Sequence, residues 1–171
     1  MKNNNSKSPM PAICSALGTL ILVVIIILCI PMSLPRLFGY GIYTVISGSM
    51  EPAIPTGSLV YVDRSQADSA EVGDVVAYYG SGNDVGTVIT HRVVAIDEED
   101  KLVTKGDANN TEDLIPVSRF NVIGKVVFHI PAIGWLASFV STLAGKFAVG
   151  LAVIAAMIFY VVAAILRPQA D

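Results

Sequence analysis

A mainly β domain of antiparallel strands, anchored by two transmembrane α-helices, is the fold class that the sequence predicts. Three observations carry it. Pro11 to Leu34 is uncharged over about 24 residues and Phe147 to Leu166 over about 20, each enough to cross a hydrocarbon core of roughly 30 Å. Between them the chain changes to short runs rich in Val, Ile, Thr and Tyr, punctuated by Gly, Asp and Asn. The charge follows the same division: 13 of the 14 acidic residues lie between the two apolar runs, and the last is Asp171. A chain that is 53% hydrophobic with mean hydropathy +0.64 is too apolar for an ordinary soluble domain, so part of it is expected to face lipid.

The first apolar run could also be a cleaved signal peptide. It is too long for the apolar region of one, and "SLPRLFGYG" does not fit a small-residue cleavage site, so both runs are expected to stay as helices. Lys2 and Lys7 precede the first and Arg167 follows the second, which by the positive-inside rule puts both tails in the cytoplasm. The expected organisation is a cytoplasmic tail at 1–10, a transmembrane helix at 11–34, an extracytoplasmic β-rich domain at 35–130, an interfacial apolar segment at 131–146, a transmembrane helix at 147–166 and a cytoplasmic tail at 167–171.

Six strands are predicted in the middle region: Tyr43–Ile46, Ser58–Asp63, Asp74–Tyr79, Thr87–Asp97, Lys101–Lys105 and Val122–Phe128. Gly80–Asp84 and Asp97–Asp100 read as hairpin loops, and Glu71–Asp74 as a turn. The stretch from Ile130 to Gly145 is apolar but broken by Pro131, Gly134, Ser138, Ser141 and Thr142. Its Trp and Phe suit the headgroup level, and a core helix of the domain is the equal alternative. Cys14 and Cys29 both fall in the first apolar run, where neither can staple the outer domain. The net charge of −3 offers no basic stripe for nucleic acid, and neither a metal cluster with ligand spacing nor a nucleotide-binding glycine loop is present, so no cofactor is expected.

The candidate chemistry starts from "ISGSMEP", Ile46 to Pro52. A serine hydroxyl needs a base within hydrogen-bond reach to become a nucleophile. The chain has two histidines. His129 reads as a strand-end or interfacial residue. His91 lies mid-strand in "VITHRVV", where alternation puts Ile89, His91 and Val93 on one face and Thr90, Arg92 and Val94 on the other. Alone it would read as a packed core histidine. Downstream, however, "KGDANNTED" supplies Asp107 and Asp113, either of which could accept from the second ring nitrogen and fix its tautomer. As loop residues, both also suit an ordinary turn. Gly48 would let a substrate strand approach the backbone, and the Ser49 amide and Ser47 hydroxyl are plausible donors to an oxyanion.

"SGSMEPAIPTGS" (Ser47–Ser58), "THRVV" (Thr90–Val94) and "KGDANNTED" (Lys105–Asp113) resemble, in order and spacing, the motifs of type I signal peptidases. The resemblance implies Ser49 as nucleophile. Where the common bacterial variety has a lysine base, this chain has His91. It is therefore similar to the ER-type branch, also found in archaea and some Gram-positive bacteria, which uses Ser, His and Asp. The same resemblance implies Asp113 as the residue that orients the imidazole, Asp107 as its support, and Ser47, Gly48 and Met50 as oxyanion or substrate-positioning residues. Two positions depart from the pattern: Ser58, where an aspartate is common, and Ala108, between the Gly-Asp pair and the asparagines. The second span is absent from many ER-type members and favours a prokaryotic cell membrane.

The implied activity is that of a membrane-bound serine endopeptidase removing signal peptides from secretory preproteins after small residues, outside the bilayer. The implied partners are those preproteins and the lipid; whether an accessory membrane subunit takes part is left open. A requirement for neutral His91 predicts activity that falls on acidification. The competing reading is a non-catalytic anchored β domain that binds a secretion or surface-assembly partner. A self-cleaving protease is the third, but the chain has no flexible segment suited to its own cleavage.

Overall fold

The computed structural model describes residues 9–167, without the side chain of Asn83. The expected tail residues Lys2, Lys7 and Asp171 lie outside that range. Two long helices, α1 (Met10–Leu37) and α3 (Leu143–Ile165), contain the two apolar runs. By length and composition both are able to cross a membrane, and most of their large apolar side chains are exposed. The described chain divides into a helical unit, 9–31 with 140–167, and a sheet unit, Met32–Phe139.

Within the helical unit small residues set the contact. A Cβ on Gly18 would come within 3.1 Å of the Ala156 carbonyl and 3.2 Å of the Tyr160 ring, so glycine permits this approach. Beside it, Thr19 Oγ1 and Tyr160 Oη meet at 2.9 Å. Where lipid is as apolar as the side chains, close packing and such hydrogen bonds are what hold helices together. Thr142 caps α3, its side chain accepting from the Gly145 amide at 3.0 Å.

The sheet unit is built on six strands: β1 (Tyr40–Thr44), β2 (Leu59–Asp63), β3 (Val75–Tyr79), β4 (Val88–Ile96), β5 (Leu102–Lys105) and β6 (Val122–Ile130). They form one sheet in the order β1-β2-β6-β3-β4-β5, and every pair is antiparallel. Strands β2 and β3 are buried on both faces, which is why "LVYV" and "VVAY" read as continuous apolar runs rather than as an alternation. Val60 and Val62 of β2 pack with Val45, Met50 and Ile54, while Leu59 and Tyr61 face Ala137 of a short helix, α2 (Ile133–Ser141). Val76 and Tyr78 of β3 join Val93 and Leu102 in a separate core.

The first strand starts three residues before the predicted Tyr43–Ile46 and ends two residues before its end. Gly39 turns the chain out of α1 at φ +86, and glycine-flanked "YGIYT" then pairs with β2 although Gly41 weakens its strand signal. The ambiguous stretch divides: Ile130 ends β6, Leu143–Gly145 begins α3, and between them α2 packs within the sheet unit through its residues up to Phe139. Gly134 N donates to Gly57 O at 2.9 Å, and Thr44 Oγ1 donates to Gly134 O at 3.2 Å. Ala137 is buried, whereas Trp135 and Phe139 are exposed. Gly57 makes this docking possible: it sits at φ +81, and a Cβ there would fall 1.9 Å from the Trp135 indole nitrogen.

Candidate active site

The serine loop runs from Ile46 to Gly57 between β1 and β2. Its shape comes from beneath. Glu51 N donates to Gly48 O at 3.0 Å and Ile54 N to Met50 O at 2.8 Å, while Met50 is 1% exposed within the core. Met50 therefore acts on the loop as an anchor, with its side chain turned away from solvent. Glu51 Oε1 accepts from Thr56 Oγ1 at 2.8 Å and Thr56 N at 3.3 Å, and these bonds hold its carboxyl below the usual range. Pro52 follows a cis peptide bond. Ser58, one departure from the motif, is fully buried and donates to Pro55 O at 2.6 Å, closing the loop. On the outer side Ser47 Oγ and Ser49 Oγ are 3.3 Å apart. Beside Gly48, the nearest atoms to an added Cβ belong to Glu51 and Thr56, at ordinary contact distances of 3.5–3.6 Å.

The acidic loop after β5 touches this serine loop directly. Ala108 N, at the other departure from the motif, donates to Ser49 O at 2.9 Å. Gly106 lies so close that a Cβ would stand 2.6 Å from Ser49 O. Loop 106–113 and loop 46–57 are thus positioned against each other through one carbonyl, that of Ser49.

His91 lies in β4 opposite Val76 of β3 and is 8% exposed. Its Nδ1 is 2.6 Å from Asp113 Oδ2. The same oxygen accepts from Thr104 Oγ1 at 2.6 Å and from Tyr78 Oη at 3.0 Å. Asp113 is also held through its backbone, whose N–H donates to Thr104 O at 2.8 Å. A neutral ring that donates Nδ1–H to this carboxylate carries its lone pair on Nε2. Asp107 goes elsewhere: it takes two bonds from Arg92, Nε to Oδ1 at 2.8 Å and Nη2 to Oδ2 at 2.6 Å, while Arg92 Nη1 reaches Gly73 O at 2.9 Å. This carboxylate holds the guanidinium above its usual pKa, so the pair stays charged.

Ser47, Ser49 and His91 line one cleft of about 360 Å³, with Val45, Ile46 and Ile89 among its other walls. Asp113 and Tyr78 line a neighbouring cleft of about 230 Å³ on which His91 also borders. A larger cleft of about 790 Å³, between Arg36, Tyr40 and Arg64, holds none of the predicted residues; size does not select the site. His129 lies in β6 opposite Val60, one residue before the end of that strand. Tyr78 and Thr104 were not legible as site residues, because in "VVAYY" and "KLVTK" they read as ordinary strand formers.

Fold and site together define an antiparallel β domain, joined to two helices of membrane-crossing length, whose serines and histidine line one cleft while the histidine's aspartate partner lines the next. No protein-family model matches the chain. Among curated proteins it is similar to signal peptidase I W of Bacillus subtilis (strain 168), 40% identical over 102 residues, which are 57% of this chain and 52% of the relative. It is also similar to the signal peptidase complex catalytic subunit SEC11 of Metarhizium acridum, 37% identical, and of Colletotrichum graminicola, 39% identical. Each of those matches covers 106 residues, 56% of this chain and 60% of the relative. The chain spans about half to three-fifths of the length of the curated relatives it matches. Similarity to type I signal peptidases therefore rests on these relatives as well as on the motifs.

Proposed function

We propose that the protein is a membrane-bound serine endopeptidase that removes signal peptides from secretory preproteins, with Ser49 as nucleophile, His91 as general base and Asp113 as the carboxylate that orients it. The observation that carries the reading is the 2.6 Å bond between Asp113 and Nδ1 of His91, at a cleft that Ser49 also lines. The relatives named signal peptidase supply the substrate class.

In this mechanism Ser49 Oγ attacks the scissile carbonyl carbon and its proton passes to Nε2 of His91. The developing oxyanion is held by the Ser49 amide and the Ser47 hydroxyl. The carbon–nitrogen bond then breaks, and the imidazolium gives its proton to the leaving amine. Water attacks the acyl ester in turn, losing a proton to Nε2, and Ser49 departs with that proton. Asp107 and Arg92 hold the acidic loop against Ser49 O and take no part in the proton transfers. The β domain works on the outer side of a prokaryotic cell membrane, with both termini cytoplasmic and α2 at the headgroup level, its exposed Trp135 and Phe139 suited to that depth.

The test is processing of a co-expressed preprotein, read as the mass of its mature N-terminus. Ser49→Ala and His91→Ala are expected to abolish cleavage while the protein still inserts in the membrane. Full processing by Ser49→Ala would return the β domain to a binding role.

A further inference from the structure

Resting on the hydrolase proposed above, we infer that Tyr78 and Thr104 are positioning residues for His91: two buried hydroxyls hold the Asp113 carboxylate aimed at Nδ1, so that the ring's free base is Nε2.

The sheet register brings this about. Tyr78 pairs with Ile89 and Thr104 with Val93, two residues to either side of His91, so the two hydroxyl side chains flank the imidazole diagonally on one face of three adjacent strands. Tyr78 is 4% exposed and Thr104 fully buried. Phe and Val would fill the same space and suit a strand equally well, whereas a buried hydroxyl costs stability unless it is bonded. Both find their partner in Asp113 Oδ2, at 3.0 and 2.6 Å, and in each other, at 3.2 Å. The Tyr78 ring also meets the imidazole edge-on, with centroids 6.4 Å apart.

The donors decide where the shared proton stays. Thr104 has one proton and its shorter bond is to Asp113, so it donates there, and Tyr78 donates to the same oxygen. An oxygen fixed by two hydroxyl donors is held in place to accept from Nδ1–H. Burial, and then the negative charges of Asp113 and Asp84, push the Tyr78 phenol well above its ordinary range, so it remains a donor. The groups facing the imidazole are thus Tyr78 from β3, Thr104 from β5, Asp113 from the acidic loop, and Asp84, which borders both clefts from the loop before β4.

With only two histidines in the chain, nitrogen-15 histidine labelling of the full protein in detergent micelles gives two imidazole signatures, and His129→Gln assigns them. His91 is expected as the Nδ1–H tautomer in the wild type. Thr104→Val and Tyr78→Phe are expected to give a tautomer mixture and to lower kcat for preprotein cleavage about ten- to a hundredfold, the scale of hydrogen bonds to a charged group, with KM within about twofold. Thr104→Ser should restore both the tautomer and kcat. An Nε2–H tautomer in the wild type overturns the inference, as does an unchanged tautomer in both Thr104→Val and Tyr78→Phe, or a Thr104→Ser variant no better than Thr104→Val. If Thr104→Val fails to fold, Tyr78→Phe, which removes one oxygen and no carbon, carries the test. A wild-type chain that cleaves no preprotein overturns the hydrolase instead, and the imidazole signatures still decide the hydrogen-bond arrangement.

Discussion

His91 and Arg92 are neighbours on β4, and each holds an aspartate from the same loop, yet the two pairs are built for different purposes. On one face, His91 meets Asp113 beneath the surface, with Thr104 and Tyr78 on the same oxygen. On the other, Arg92 grips Asp107 with two parallel bonds, its side chain 35% exposed. The first arrangement concentrates donors on one atom, and in the proposed mechanism it controls where a proton sits. The second spreads two bonds over a rigid guanidinium and so controls where a loop sits. Alternation along one strand separates the two tasks by a single residue.

The largest expected effect tests that division. Asp113→Asn should leave the fold intact and lower kcat by about four orders of magnitude, because an amide favours the wrong imidazole tautomer. Steady-state cleavage of a preprotein-derived peptide measures it. If Asp107→Asn costs as much as Asp113→Asn, the two faces do not have separate roles. Next comes the link between the loops. Gly106→Ala places a methyl 2.6 Å from Ser49 O and should displace the serine loop, lowering kcat about a hundredfold without unfolding the domain. Wild-type kcat in that variant would show that the acidic loop does not position Ser49.

Asp107→Asn itself should cost about 1–2 kcal/mol of stability, since the pair is half-exposed and charge-assisted, and should lower kcat less than Gly106→Ala. Urea denaturation followed by circular dichroism gives the first quantity.

The smallest effect separates both faces from the remaining acids. Asp63 is held low by Ser65 and Gln66, and Asp100 by Arg119. Burial raises Asp74, but Lys125 at 2.8 Å and the Glu71 amide outweigh it and leave its carboxyl below the usual range. Folded values below unfolded ones stabilise the protein above the unfolded pKa of about 3.9 and lose that contribution as pH falls through the folded values. The urea midpoint should therefore be flat from neutral pH to about 5 and fall below about 4. Asp74→Asn should make that acid loss shallower; an unchanged slope would remove Asp74 from the account.

Much of this was legible in the residues. Apolar length marks α1 and α3, and β-branched runs broken by Gly and Asp mark five of the six strands closely. "KGDANNTED" announced two candidate carboxylates but not their division of labour, because spacing along a loop does not say which side of a strand a carboxylate will meet. Ile130–Gly145 stayed ambiguous because an apolar helix docked on a sheet and one lying in a membrane surface share a composition. Gly57, whose missing side chain admits Trp135, makes the docking, and that contact joins residues 78 positions apart.

Local chemistry was enough to establish the alternation of β4, with His91 and Arg92 on opposite faces, the turn-forming acidic loop and the membrane-length helices, since each depends on neighbours in the chain. The meeting of Tyr78, His91, Thr104 and Asp113 on one oxygen came from the folded sheet alone. It depends on the order β3-β4-β5 and on a register in which the two hydroxyls fall diagonally beside the imidazole. Register is a property of paired strands, and a single strand does not carry it.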